Sequence, residues 1–575
     1  MTQLEDNALL EDFVREIQSL EDFRVAYRQR YEFEGLGRDD QDIRRLMEAM
    51  AFYTARSRGV AERAIRRHKL QALERLFPYL LTPMPAMGLL HPIPLSMNAG
   101  WLCVPEGAEF EARETNPRGE LVASRTFSTR SPSRVVPLHI VRNSVQLDRK
   151  EKSDRSGRGG WLLSLSISAD PRGPSRFFTP EGQPPLESFR LHINPLGETL
   201  LPIRLFDALQ RNLERLRLKV WAGNAVRLVR DHSAKDVTRH APLSSAASWD
   251  NPLEEIRRMI HFPLGELGFT IDLIGSPRQW DQVDLEFHLA DEWPPELSVD
   301  QGSFLINPIV VQNATRAPAQ LIEHDGTRSR LRIAHTQPGT GMRVREVLGV
   351  YRLDSDALGA REALFPEALA RGGYLVEIEG SGKERTAWLE VQDDLGELLR
   401  PQMLQVEADW YDPSALLPNA AAATVLPEDQ DIGAARWVLQ GPLRAPCESR
   451  LFGKERELEE LLEIHARGVT DIESLRTLLT AMGVEDSDLF QGLTSFLVAL
   501  RMETSPSSAS LRGVRTSFEL SVKFIPPVLV PALRSLVSML PRLLSVWSGL
   551  PEVSVRATFE QQPELSPLNE EWREP

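Results

Sequence analysis

A run of prolines, Pro78, Pro83, Pro85, Pro92 and Pro94, divides this chain into two kinds of sequence, and nothing else in it constrains the fold as strongly. Ahead of the run the apolar residues keep helical time. Ile43, Leu46, Met47, Met50 and Tyr53 recur at steps of three and four, which places them on one stripe of an amphipathic helix. Leu10, Phe13, Ile17, Leu20 and Phe23 form an earlier stripe, before the break at Gly35, Leu36 and Gly37. A helix is expected to end at Phe77, with Pro78 opening a rigid, extended arm through Pro83 and Pro85, because proline cannot continue a helix and biases its predecessor toward extended backbone. Behind the arm the apolar runs shorten to strand length, at 133–141, 161–168, 189–193, 219–229, 269–274, 283–289, 374–379 and 388–391, most of them bounded by Gly, Pro, Asn or Asp. Helical spacing returns at 458–465 and 472–482.

A chain of 575 residues exceeds what one hydrophobic core fills. The expected class is α+β multidomain, with an N-terminal helical segment, β-rich middle domains and a mixed α/β C-terminal domain. The expected divisions are 1–87 for the helices and proline arm, then β-rich domains at 88–245, 246–345 and 346–446. A helical or mixed domain at 447–558 and a solvated acidic tail at 559–575 complete the chain. Residues 83–94 and 441–446, both rich in proline, are the expected flexible joints. Residues 150–160, charged and then rich in Gly and Ser, are expected at a hairpin tip.

Several function classes are excluded by charge and pattern. A net charge of −15 repels a polyphosphate backbone, so nucleic acid is not expected as a partner. The local run Arg56, Arg58, Arg63, Arg66, Arg67 and Lys69 reads as a solvated face or a dock for an acidic partner. With Cys103 and Cys447 alone, no disulfide framework is available, and Cys103, in an apolar strand, is expected to be a buried, inert thiol. The acidic start of the chain is unlike a signal peptide. Residues 525–547 are apolar, yet contain Arg534 and Arg542; Leu529, Leu533, Leu536, Leu540, Leu543 and Trp547 make the seam of a packed helix instead of a membrane span.

Enzyme signatures fail on inspection. Gly339 and Gly341 lack the third glycine of a dinucleotide loop, which would fall at Val344. Gly380, Gly382 and Lys383 lack the first glycine and the hydroxyl residue of a phosphate loop, and read as a turn between two strands. The histidine pairs His232 with His240 and His324 with His335 lack zinc spacing. No catalytic residue, cofactor or metal is assigned. Carboxylate neighbours such as Asp291 and Glu292, with eleven tryptophans, leave open a carbohydrate-active enzyme built of β-sandwiches.

The ordered runs resemble the TssF (ImpG/VasA) family of the type VI secretion baseplate. Arg45, Leu46, Glu48, Ala51, Phe52, Ala55 and Arg56 fit its first helix, and Leu76, Pro78, Tyr79, Leu80, Pro83, Pro85 and Met87 fit its proline arm. Residues 104–110, 125–129, 136–138, 254–272, 304–321, 411–418 and 511–520 continue the resemblance in order, with Asn313 and Pro318 on a family asparagine and proline. The resemblance implies a non-enzymatic, cytoplasmic wedge subunit, docked at the inner membrane through the assembled complex. Two copies would join one TssG around a spike hub and support sheath assembly, with TssK and TssE type components alongside and the membrane reached only through partners. A subunit of a phage-like or extracellular contractile particle would share this mechanism. The residues expected to meet a second copy or TssG are Leu10, Phe13, Ile17, Leu20, Leu46, Met50 and Tyr53.

Overall fold

The computed structural model describes residues 13–26, 41–95, 101–150, 160–195, 200–233, 252–290, 293–353, 361–366, 373–391, 401–417, 420–429, 432–452, 454–506, 514–559 and 570–573. Its helices, in chain order, are 13–26 (α1), Gln41–Leu76 (α2), Pro78–Leu81 (α3), Leu200–Asn212 (α4), Pro252–His261 (α5), Glu455–Arg467 (α6), Ile472–Ala481 (α7) and Val530–Ser548 (α8). The chain forms two compact units, one of residues 1–78 with 453–462, the other of residues 79–452 with 463–575. The α+β class holds, with helix at the start, strand in the middle and both at the end.

In the smaller unit α2 is long and carries alanine where it is covered. Ala51 and Ala55 are fully buried, and Arg58 on α2 lies 2.7 Å from Glu16 on α1. Lys69 reaches Glu459 at 2.6 Å, and that pair and Glu455 raise its pKa.

The larger unit is organised on a closed barrel whose strands run, in spatial order, Met87–Pro94, Ile309–Gln312, Leu121–Thr129, Glu109–Thr115, Thr424–Pro427 and Ala435–Arg444. Its inward residues alternate with outward ones, so Phe110, Phe127, Leu90, Val311, Val425 and Trp437 fill one core, with Phe110 and Trp437 edge-on at 4.7 Å. This corrects both expected joints. Residues 83–94 lead into a barrel strand, and 441–446 begin as the end of another. Pro92 and Pro94 are tolerated because Met87–Pro94 pairs with Ile309–Gln312 only through Leu90; beyond that the strand has a neighbour on one side alone.

The strand Arg343–Leu353 straddles the expected 345/346 boundary, and Met87–Pro94 straddles 87/88. Between the barrel strands Ile309–Gln312 and Thr424–Pro427 the chain makes two further sheets, Ala314–Pro318 with Gln402–Tyr411, Arg343–Leu353 and Arg361–Leu364, and Leu331–Ile333 with Thr386–Val391 and Tyr374–Glu379. Leu331, Val344, Leu389, Val406 and Trp410 share the core there. The turn at Gly380 and Gly382 joins Tyr374–Glu379 to Thr386–Val391, as expected.

Another sheet of the larger unit, ordered Ala225–Ser233, Leu213–Ala222, Gln282–Leu289, Gly160–Ser168 and His139–Ile140, buries Leu163, Leu165, Ile167, Leu216, Leu218, Val220, Val283, Leu285 and Phe287 at every other position. The run expected as one strand at 219–229 is a hairpin, because Gly223 takes φ +61 and turns the chain. Lys150 pairs with Gly160 across the expected hairpin, and 151–159 lie outside the described residues.

The C-terminal sheet is ordered Leu497–Pro506, Val514–Val522, Val553–Phe559 and Glu570–Arg573, with α8 as the crossover between its two parallel strands. Leu533, Leu536, Leu540, Leu543 and Trp547 are buried in α8, Arg534 donates to Asp207 at 2.8 Å, and Arg542 bonds Glu255. A helix of membrane-spanning length thus serves as a core helix, 61% buried over its most apolar window. Glu570–Arg573, within the stretch expected to be a solvated tail, pairs with Val553–Phe559. Cys103, expected buried, is exposed, because the short strand Leu102–Val104 turns that position outward.

Candidate functional site

The sequence poses a specific problem at 79–86: a buried arm with prolines has carbonyl groups to satisfy and few N–H groups with which to join a ladder. Pro78 does not open the extended arm directly. It starts the single turn α3, where its missing N–H is harmless, and the arm proper begins after Leu81. The larger unit then supplies donors one by one. Arg257 Nη1 donates to Tyr79 O and, at 2.6 Å, to Thr82 O. Ser449 Oγ donates to Leu80 O at 2.5 Å, Arg345 Nε to Pro83 O at 3.1 Å, and His261 Nε2 lies 3.1 Å from Pro85 O. Met84 and Cys447 exchange both backbone hydrogen bonds, at 2.8 and 2.9 Å. Asn313 N donates to Ala86 O at 2.8 Å, while its side chain donates to Thr126 O at 2.6 Å and accepts from Asp412 N at 2.9 Å.

Charge is balanced around this clamp. Arg345, 2% exposed, donates to Asp409 at 2.8 Å and to Glu254 at 2.7 Å, and Arg130 also reaches Glu254, at 3.1 Å. Burial alone would lower the Arg345 pKa; Asp409, Glu254 and Glu346 outweigh it and raise it. Burial would raise Glu254, yet Arg345, Arg130 and Arg258 hold its carboxyl at about 2. Burial, then the charge of Arg444, pushes His261 down to about 3, so it is neutral and its Nε2–H donates to the Pro85 carbonyl. Burial also lifts the Cys447 thiol to about 11 and lowers Arg257 to about 10. Glu254 and Asp409, the buried acids here, are neutralised by arginine and serve as braces, which is not how a carboxylate pair for glycoside cleavage is arranged.

The expected partner-binding residues lie in the smaller unit. Leu46, Met50 and Tyr53 are 61%, 51% and 67% exposed on α2. Phe13, Ile17 and Leu20 are half-buried on α1, and Leu10 lies outside the described residues. The stripe read as the buried face of α2 is therefore largely uncovered, and the covered positions are the alanines Ala51 and Ala55. Phe23, Phe52, Val60 and Ile65 add to the exposed apolar surface. Together these side chains give the smaller unit an exposed apolar strip.

The clamp was missed in the sequence. The prolines signal that carbonyls need donors, but Arg257, His261 and Arg345 carry no local mark of that role. Asp291 and Glu292 lie outside the described residues, and among the described residues no three His, Cys, Asp or Glu side chains are grouped to hold a metal.

Comparison with known proteins agrees with this geometry. The family model described as "Type VI secretion system, TssF" matches residues 23–367. The fold is similar to a chain in a cryo-electron microscopy structure of the type VI secretion system TssK-TssF-TssG baseplate subcomplex, with a TM-score of 0.66 at 15% identity, over 93% of this chain and 98% of that one. It is also similar to a chain in a structure of the baseplate complex from the type VI secretion system, with a TM-score of 0.56 at 15% identity, over 99% of both chains. No curated protein matches it. With more than half its length matched, the arm and four of the six barrel strands included, the chain belongs to the TssF family of the type VI secretion system.

Proposed function

We propose that this chain is a structural wedge subunit of a type VI secretion baseplate, working in the cytoplasm by binding and not by catalysis. Two copies join one TssG; TssK and TssE type components, the spike hub and the sheath complete the assembly, which brings the chain to the inner membrane through its partners. The observation that carries this reading is the pairing of an exposed apolar stripe, Leu46, Met50 and Tyr53, with an arm whose carbonyls are held one by one. A helix that binds a partner must be anchored to the body that it recruits, and α2 runs through α3 directly into the clamped arm. Family membership supports the system served.

Co-expression with TssG tests the reading. The intact chain is expected to co-purify with TssG in a complex whose mass fits two copies to one. Met50→Asp with Tyr53→Asp should abolish that complex and leave the isolated chain folded. Full-yield co-purification of the doubly substituted chain, or of a chain truncated before Pro83, would remove the helical stripe from the interface.

A further inference from the structure

One edge of the C-terminal sheet is closed by the chain's own Glu570–Arg573; the other, Leu497–Pro506, has no strand beyond it among the described residues. Two registers fix which backbone groups this open edge presents. Thr516 donates its N–H to Glu552 O at 3.2 Å, so the even-numbered residues of Val514–Val522 turn toward Val553–Phe559 and the odd-numbered ones toward Leu497–Pro506. Those odd residues, Arg515, Ser517, Glu519 and Ser521, stand opposite Ser505, Glu503, Arg501 and Ala499. By alternation Leu500, Met502 and Thr504 aim both N–H and C=O away from the sheet. Pro506 falls on the same outward series, where a missing N–H breaks no ladder bond, and a register shift between Leu497 and Ala499 ends the regular stretch at the other side.

The side chains on this edge are self-complementary. Arg501 and Glu503 are exposed on one face; on the other, Met502 is 44% exposed although Phe518, opposite it, is fully buried. We propose that the edge pairs with the same edge of a second copy of this chain, antiparallel about a two-fold axis at Met502. Leu500 then lies opposite Thr504 of the partner subunit, and Met502 opposite Met502 of the partner subunit. All three outward residues exchange hydrogen bonds across the axis. Arg501 meets Glu503 of the partner subunit twice, in the non-hydrogen-bonded pairs where side chains approach most closely. Sliding one step either way sets Arg501 against Arg501 of the partner subunit, or Glu503 against Glu503 of the partner subunit, and like charges directly opposed are destabilising. Charge therefore selects both the partner and the register. Met502, half out of water in the single chain, is covered by its counterpart, and the two C-terminal sheets become one.

This edge uses none of the residues of the α2 stripe and can be measured in the absence of any other baseplate component. Sedimentation equilibrium of the full chain at micromolar concentration should show a species of twice the chain mass. Arg501→Glu and Glu503→Arg should each weaken self-association by about tenfold or more, since each replaces two attractions with two repulsions. An equimolar mixture of the two variants should recover it, because every Glu of one then opposes an Arg of the other. Thr504→Pro should abolish it without unfolding the sheet, as that N–H points away from Val514–Val522; circular dichroism checks the fold. A chain that stays monomeric, or a dimer indifferent to Arg501→Glu and Thr504→Pro, overturns the proposal. A dimer lost instead on Tyr53→Asp would belong to α2 and also overturns it.

Discussion

The proline arm and the helix that precedes it obey opposite rules. In the arm, each buried carbonyl named above has a donor found far away in the sequence, and one of the donating arginines, Arg345, is braced by Asp409 and Glu254. In α2, large apolar side chains stand in water while alanines are buried. The arm is finished within the chain, whereas the helix leaves its apolar stripe exposed. Burial thus separates a segment closed by the chain's own donors from one that leaves apolar surface open.

The largest expected effect is on the arm. Arg345→Met should strand Asp409 in the interior, leave Glu254 to Arg130 and orphan the Pro83 carbonyl, destabilising the chain by about 3–5 kcal/mol, as breaking buried ion pairs does; urea unfolding of purified chain measures it. If Arg345→Met left the transition in place, the arm would be no better anchored than the helix.

A smaller effect follows from pH. His261 is held near 3 in the folded chain against an ordinary value of 6.5, so the folded state refuses a proton that the unfolded chain takes. Stability from this group is complete above pH 6.5 and is lost as pH falls toward about 3. Roughly 2 kcal/mol should be gone by about pH 5. Glu254 adds a second loss lower down, between its ordinary 4.5 and about 2. His261→Gln, which can still donate to Pro85 O, should flatten the first loss and leave the second; thermal melts across pH separate the two. Ser449→Ala removes the donor to Leu80 O and the acceptor for Leu451 N–H, and should cost about 1–3 kcal/mol, read in the same melts.

The smallest effect is expected on α2. Met50→Asp and Tyr53→Asp should change stability by less than about 0.5 kcal/mol, since both side chains are already in water. A large loss of stability there would show that the isolated chain already covers the stripe, and the contrast with the arm would disappear.

What could be read from the sequence was what depends on neighbours in sequence. Leu46, Met50 and Tyr53 mark α2 by their spacing, Leu533 to Trp547 mark the α8 seam, and Gly380 with Gly382 marks a hairpin whose strands adjoin it. The order of short motifs was enough for the family resemblance, which the match over 23–367 bears out. Closure of the barrel was hidden, because Met87–Pro94 finds its neighbours at Ile309–Gln312 and Ala435–Arg444, and period-two patterns do not say which strand pairs with which. For the same reason residues 83–94 and 441–446 passed for flexible joints. Proline looks alike in a loop and on a strand with one open side; what distinguishes them is a partner strand hundreds of residues away. The clamp was hidden more deeply still, since Arg257 and Arg345 differ from surface arginines only in their surroundings.

The barrel's construction has a consequence for how the protein is made. During synthesis the strand Met87–Pro94 leaves the ribosome long before Ile309–Gln312 and Ala435–Arg444 exist, so one flank can be paired only past the middle of translation and the other only late. The nascent chain must carry apolar, unpaired edges for most of its elongation, with the N-terminal helices already outside. A partner that seized those helices during that interval would hold a body whose barrel stays open until residue 444 has been made.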